Sequence, residues 1–113
     1  MTSIYSGADV IIVEDVIDTY GTLSVLCRRL IKEGARRVYL SASHGVFSEN
    51  SIELINLSPV DRVVVTDTLN LPDEKKSPKI VRVSIAPILA RVIKTEYYKT
   101  FGTPEDREEY EVD

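Results

Sequence analysis

The stretch Val10-Ile-Ile-Val-Glu-Asp-Val-Ile-Asp-Thr-Tyr-Gly-Thr22 combines a strand pattern with a turn that opens a helix. The segment Asp9–Val13 is continuously apolar after its first residue, which is typical of a strand covered on both faces. Two acidic residues, Glu14 and Asp15, follow this run directly. A βα unit of this kind predicts a parallel sheet with helices on its faces.

The turn in this stretch offers groups that bind phosphate. Residues Asp18–Thr22 present hydroxyls and the backbone N–H groups of a helix start, which together attract a phosphate dianion. The carboxylates of Glu14 and Asp15 suit sugar hydroxyls or a hydrated Mg²⁺. The motif is neither a Walker loop nor a dinucleotide fingerprint. The alternative is a plain βα connection in which Asp18 or Thr19 caps the helix.

The remaining periodicities predict further alternating strands and helices. The predicted strands are Arg37–Ala42, Arg62–Thr66 and Lys79–Val83. The predicted helices are Thr22–Glu33, one from Ser48 or Asn50 through Leu57, and one capped by Ser84 with a face of Ile85, Ile88, Leu89, Val92 and Ile93. This alternation predicts an α/β fold with a mostly parallel sheet and flanking helices.

Three loops should meet at the carboxyl edge of this sheet, where ligands collect in such folds. They are 15–22, 43–48 and 66–69, because each directly follows a strand. His44 is either a polar group at this edge or a turn residue that holds the loop, and we favour the turn residue. Asp67 fits a site border and a loop cap equally well.

Charge is distributed unevenly along the 113 residues. The net charge is −4, but the last fourteen residues hold six acids and one base, which leaves 13 basic and 12 acidic residues in the rest of the chain. No basic stripe is present to replace phosphate counterions, so a nucleic-acid partner is not expected. The sequence also contains no apolar run long enough to span a membrane, and no signal-peptide pattern. We therefore expect a cytoplasmic protein without a membrane partner.

The single cysteine, Cys27, limits the covalent chemistry of the chain. One cysteine excludes an internal disulfide and a cysteine-based zinc site. Because Cys27 lies on the apolar face of a predicted helix, we expect a small buried core residue rather than a nucleophile.

Five segments, in this order and spacing, resemble the C-terminal half of phosphoribosyl-diphosphate (PRPP) synthetases, also called ribose-phosphate diphosphokinases. They are Glu14-Asp-Val-Ile-Asp-Thr-Tyr-Gly-Thr22, Gly34-Ala-Arg-Arg-Val-Tyr39, Ser43-His-Gly-Val-Phe-Ser48, Val63-Val-Val-Thr-Asp-Thr68 and Ser84-Ile-Ala-Pro-Ile-Leu-Ala90. The first segment alone resembles the PRPP loop of type I phosphoribosyltransferases equally well. The other four favour the synthetases.

The resemblance implies a phosphoribosyltransferase-like fold and a set of site residues. Residues Asp18, Thr19, Tyr20, Gly21 and Thr22 would cradle the 5′-phosphate of ribose 5-phosphate. Glu14 and Asp15 would be the acidic pair that faces Mg²⁺, with Asp15 also facing the ribose hydroxyls. The family reaction converts ATP and ribose 5-phosphate to AMP and PRPP.

The chain departs from the family pattern at two positions of this loop. Glu14 stands where a second Asp is usual, and Tyr20 stands where a small residue is common. If that position needs a positive φ, Tyr20 is strained; otherwise its ring points outward and its N–H still serves the site.

The sequence predicts residues 1–8 as a leader or truncation scar, 9–98 as the ribose-5-phosphate-binding domain and 99–113 as an acidic tail. The first homologous domain of the family, which supplies much of the ATP site, lies upstream of the resembling region. We therefore expect ATP binding only with a partner domain, and no catalytic residue or turnover in this chain alone. Two alternatives remain. One is a regulatory or assembly module that forms homo-oligomers or joins synthetase subunits, and the other is a phosphoribosyltransferase.

Overall fold

The computed structural model describes residues 5–105, which form a four-stranded sheet and three helices. The strands are β1 (Asp9–Ile17), β2 (Arg37–Gly45), β3 (Arg62–Thr66) and β4 (Ile80–Val83). The helices are α1 (Gly21–Lys32), α2 (Ser51–Leu57) and α3 (Ala86–Phe101), with a short 3₁₀ turn at Asp73–Lys75. The predicted strands and helices are therefore all present in this part of the chain.

The sheet is entirely parallel, and its strands lie in sequence order β1-β2-β3-β4. In the register of the sheet, Val13 pairs with Ser41, Ser41 pairs with Val64, and Val64 pairs with Val81. Parallel neighbours require crossover connections, and α1 and α2 supply the first two of them. The predicted α/β fold class is confirmed.

One face of the sheet carries the core. Helix α1 packs against β2 and against α2. The side chains that these helices cover are at alternate positions of the central strands, as the two-residue period of a strand requires. They are fully or almost fully buried: Val38, Leu40, Ala42, Val63 and Val65.

The opposite face of the sheet is open, which corrects the expectation that β1 is covered on both faces. Ile11 is 65% exposed and Val13 is 78% exposed. On β4, Val81 and Val83 lie on the same open face. The apolar run places apolar side chains on both faces of the sheet. Within residues 5–105, however, helices cover only one of these faces. Strand β1 also continues to Ile17, four residues beyond its predicted end.

Helix α3 has the predicted apolar face but does not bury it. Pro87 lies in the first turn, where proline is tolerated, yet no residue of this helix is buried. Ile88 is 61% exposed and Ile93 is 66% exposed. The predicted apolar face is therefore present but uncovered within residues 5–105. A periodic pattern shows that a helix has an apolar side and does not show what covers it. The helix ends at Phe101, three residues beyond the predicted domain boundary at residue 98.

The residues just before β1 pack with the domain rather than apart from it. The Gly7 N–H donates to the Gly34 carbonyl at 2.8 Å, and the Arg36 N–H donates to the Ala8 carbonyl at 2.7 Å. Tyr5 packs against the core. Residues 5–8, which the sequence assigned to a leader, are thus part of the folded unit.

The acidic tail falls mostly outside the described residues. Of the predicted segment 99–113, residues 99–101 belong to α3, and 106–113 lie beyond the part of the chain that the structure describes. Among residues 5–105, no helix is long and apolar enough to cross a membrane.

Candidate phosphate-binding cleft

A cleft of about 300 Å³ lies where β1 ends and α1 begins. It is at the carboxyl edge of a parallel sheet, the place where ligands bind in open α/β folds. Its lining includes Glu14 and all five residues predicted to cradle a phosphate, and it is completed by Val16 and Leu23. The cradle residues are Asp18, Thr19, Tyr20, Gly21 and Thr22. Asp15 is not part of this lining.

The first turn of α1 lacks a capping side chain. Within the described part of the chain, no side chain accepts a hydrogen bond from its N–H groups, and this turn contains no acidic residue. The N–H groups of Gly21, Thr22 and Leu23 precede the first intrahelical hydrogen bond, which runs from the Ser24 N–H to the Tyr20 carbonyl at 2.8 Å. Positive partial charge therefore accumulates beside the cleft. The alternative in which Asp18 or Thr19 caps the helix is not what the structure shows.

Tyr20 adopts the left-handed backbone conformation, with φ 70° and ψ −1°. For a residue with a Cβ this conformation costs about 1–2 kcal/mol. Of the two outcomes expected for Tyr20, the strained one is therefore present. The ring does not point outward, because only 2% of Tyr20 is exposed.

The Tyr20 phenol ends in a small polar cluster within the core. Its oxygen lies 2.9 Å from Ser58 Oγ and 3.6 Å from Cys27 Sγ. Burial raises the pKa of Tyr20 well above its ordinary value, with the hydrogen bond to Ser58 acting in the opposite direction. Burial likewise raises the pKa of Cys27. Cys27 is fully buried, so the prediction of a small core residue is confirmed.

The loop after β2 supports the candidate phosphate loop, residues Asp18–Thr22, through its backbone. The N–H groups of Val46 and Phe47 both donate to the Ile17 carbonyl, at 2.9 and 3.2 Å, and the Ser48 N–H donates to the Asp18 carbonyl at 3.1 Å. Phe47 is fully buried and fixes this loop against the core. Two of the three loops expected at this edge are therefore joined directly.

The predicted acidic pair is divided between the two faces of the sheet. Glu14 and Asp15 are consecutive residues of β1, so their side chains leave the strand on opposite sides. Glu14 and Asp18 both line the cleft. They are the carboxylates that could hold a Mg²⁺ ion there, since Mg²⁺ commonly takes one or two carboxylates and keeps several waters. Asp15 lies on the open face. Among the described residues, no cluster of three or more acidic, histidine or cysteine side chains is placed to hold a metal ion.

The other rim residues hold loops together. His44 lies within β2 rather than in a turn, and its Nδ1 lies 2.7 Å from Thr68 Oγ1, which joins the end of β2 to the loop after β3. Asp67 Oδ1 accepts a hydrogen bond from the Ile85 N–H at 3.0 Å. Hydrogen bonds from Ser84 and from the Ile85 backbone lower the pKa of Asp67. Asp67 thus anchors the start of α3.

Two supporting residues of the site were not identified from the sequence. The Ser58 hydroxyl forms a hydrogen bond with the Tyr20 phenol, and the Lys79 ammonium donates a hydrogen bond to the Ser58 carbonyl at 2.7 Å. Lys79 also reaches the carbonyls of Ile55 and Asn56, at 3.4 and 3.3 Å, and so closes the end of α2. Neither residue belongs to a motif. Ser58 lies 38 positions from Tyr20 in the sequence, so no local sequence pattern predicts this contact.

Comparison with known proteins gives consistent matches. Residues 3–101 match the model of the phosphoribosyl synthetase-associated domain. The chain is 46% identical over 87 residues to the ribose-phosphate pyrophosphokinase of Caldanaerobacter subterraneus, and 43% identical over 88 residues to that of Aquifex aeolicus. These alignments cover 77% and 78% of the chain but 28% of each relative.

A solved structure matches as well. The phosphoribosylpyrophosphate synthetase of Mycobacterium smegmatis superposes with a TM-score of 0.81 and 33% identity, over 84% of this chain and 32% of that one. Fold and cleft together define a parallel α/β domain with an uncapped helix start at a cleft on the carboxyl edge of its sheet. The family match makes the assignment specific: the chain belongs to the ribose-phosphate pyrophosphokinase (PRPP synthetase) family. It spans less than a third of the length of these relatives.

Proposed function

We propose that this chain is the ribose-5-phosphate-binding domain of a ribose-phosphate pyrophosphokinase and corresponds to the C-terminal half of that enzyme. One observation carries the proposal: the uncapped first turn of α1 opens into a cleft that also contains the hydroxyls of Thr19 and Thr22. A phosphate dianion would receive hydrogen bonds there from the backbone and from side chains.

Different residues of the cleft would bind different parts of the proposed ligand. The N–H groups of Gly21 and Thr22, with the Thr22 hydroxyl, would bind the 5′-phosphate. The carboxylates of Glu14 and Asp18 would accept hydrogen bonds from ribose hydroxyls or hold Mg²⁺. When bound, Mg²⁺ would neutralise phosphate charge. The contribution of this chain is therefore to position the sugar phosphate, which is a main source of rate enhancement in phosphoryl transfer.

We propose that transfer of the diphosphate from ATP needs more chain than the described residues, because the relatives are more than three times as long as the aligned region. We propose that ATP binds together with a partner domain and that the isolated chain has negligible turnover. The cytoplasmic location expected from the sequence stays a prediction.

Titration calorimetry tests the phosphate assignment. Ribose 5-phosphate with Mg²⁺ should bind the wild-type chain, whereas ribose without the phosphate should not bind measurably. Thr22→Ala should weaken binding about tenfold, because it removes one hydrogen bond to a charged group. Thr95→Ala, a matched change on the exposed surface of α3, should leave binding unaltered. Equal heats for wild-type and Thr22→Ala protein would remove the assignment.

A second candidate function, an assembly module, is favoured by the open face of the sheet. Ile11 and Val13 on β1, and Val81 and Val83 on β4, are exposed apolar residues on the same side of the sheet. Exposed apolar surfaces of this kind mark contacts with other proteins. We propose a ribose-phosphate pyrophosphokinase subunit as the partner, because the family relatives contain two to three times as much additional chain as the aligned region.

Sedimentation velocity with a full-length synthetase tests this candidate. The wild-type chain should co-sediment with the synthetase, and Val13→Lys should abolish the association by placing a charge within the apolar surface. Val25→Lys is the matched control, because Val25 is 65% exposed on α1, away from the open face. Loss of association in both variants, or in neither, would contradict a role for the open face.

A further inference from the structure

We propose that Tyr20 is a positioning residue of the cleft: its buried phenol, bound to Ser58, holds the phosphate loop in the backbone conformation that presents the first turn of α1. This inference rests on the proposed function. It assigns a role to a side chain that the family resemblance marks only as a departure from the usual small residue.

The backbone of Tyr20 sets the start of α1. Its carbonyl accepts the hydrogen bond from the Ser24 N–H at 2.8 Å, which opens the helix. Its φ of 70° turns the chain between Asp18 and Gly21. This conformation is unfavourable for a residue with a Cβ, and contacts of the surrounding structure must offset its cost. The buried side chain of Tyr20 supplies such contacts.

The phenol has a well-defined anchor. Ser58 Oγ donates its single proton to the Ile55 carbonyl at 3.1 Å. In the hydrogen bond between Ser58 and Tyr20, the Tyr20 O–H is therefore the donor and Ser58 Oγ the acceptor. Ser58 is 3% exposed, and its carbonyl accepts from Lys79 Nζ at 2.7 Å. The anchor thus connects the loop to the end of α2 and to the start of β4.

The anchor lies on the side of the loop away from the ligand. Tyr20 contributes to the wall of the cleft, but its hydroxyl points into the core, where Ser58 and Cys27 surround it. The hydroxyl therefore does not contact the sugar phosphate. It acts through the backbone N–H groups of the neighbouring residues Gly21 and Thr22.

A mutant cycle on the pair tests the proposal. Tyr20→Phe and Ser58→Ala should each weaken ribose 5-phosphate binding about fivefold, the effect of one neutral hydrogen bond. The double variant should be no weaker than either single variant, because both changes remove the same hydrogen bond. Tyr39→Phe, a matched change on β2, should leave affinity unaltered. Additive losses, or unchanged affinity in Tyr20→Phe, would overturn the proposal.

Hydrogen exchange separates this role from general stability and from the proposed function. In Tyr20→Phe without ligand, the Ser24 N–H should exchange at least several times faster, while the N–H of Leu40 in the central strand should keep its wild-type rate. Equal acceleration at both sites would show a global effect and contradict positioning. If the wild-type chain does not bind ribose 5-phosphate, the proposed function fails, while faster exchange at Ser24 still supports the anchor.

Discussion

Replacing Gly45 with alanine is expected to destabilise the protein by about 3 kcal/mol, because the new methyl group has no space. A Cβ at Gly45 would overlap ring carbons of Phe47, with Cζ at only 2.9 Å. Phe47 cannot move aside easily, since it is fully buried and its N–H is bound to the Ile17 carbonyl. The strain must therefore be taken up by the loop after β2, which supports the cleft.

Thermal unfolding measures this effect. For a domain of this size, a loss of about 3 kcal/mol lowers the midpoint by roughly 10 °C or more. Gly21→Ala is the matched control, because no atom lies within 4 Å of the position that its Cβ would take and its φ is not positive. Alanine at this helix start should leave stability unchanged or raise it by up to about 1 kcal/mol. A midpoint for Gly45→Ala within about 2 °C of wild type would show that Phe47 does not pack there.

A double variant identifies the contact responsible. If the overlap with the Phe47 ring causes the loss, then Gly45→Ala should cost much less in a Phe47→Ala background than in the wild-type protein. Phe47→Ala alone should cost about 3–5 kcal/mol through the cavity that it leaves. Simple additivity of the two changes would place the clash elsewhere.

Replacing Ile55 with alanine should destabilise the protein by about 2–5 kcal/mol. Ile55 is a fully buried apolar residue of α2 and belongs to the core cluster beneath the sheet. Its removal leaves a cavity at the end of the helix that carries Ser58. Because Ser58 holds the Tyr20 phenol, ribose 5-phosphate binding should weaken as well.

Leu57 provides the comparison on the same helix. It is 69% exposed, so Leu57→Ala should change the free energy of unfolding by no more than about 0.5 kcal/mol. Urea unfolding of both variants measures the difference directly. Similar losses for the two variants would mean that α2 packs in another orientation.

Much of the fold was predictable because it depends on local pattern. The two-residue and 3.6-residue periods place all four strands and three helices, and alternation of the two element types requires parallel pairing. The position of the cleft follows for the same reason: the Asp18–Thr22 turn comes directly after a strand, and the ends of parallel strands share one edge.

Other features were not predictable, because they depend on residues far apart in the chain. Periodicity marks the apolar faces of β1 and α3 but does not say whether another layer covers them, and Ile11 and Ile88 are exposed. The end of β1 was misplaced since two acidic residues resemble a turn. Both residues belong to the strand, so their side chains leave it on opposite sides. Glu14 therefore lines the cleft, and Asp15 lies on the open face.

The sequence by itself determined the α/β fold, its family and the turn at which a phosphate would bind, because strand and helix periods and the order of motifs are local properties. Only the tertiary structure decided how that turn is held. The left-handed backbone of Tyr20 depends on a hydrogen bond to Ser58, 38 residues away. Such a contact forms when α1 and α2 pack on the same face of the sheet, and no local stretch of the sequence specifies that packing.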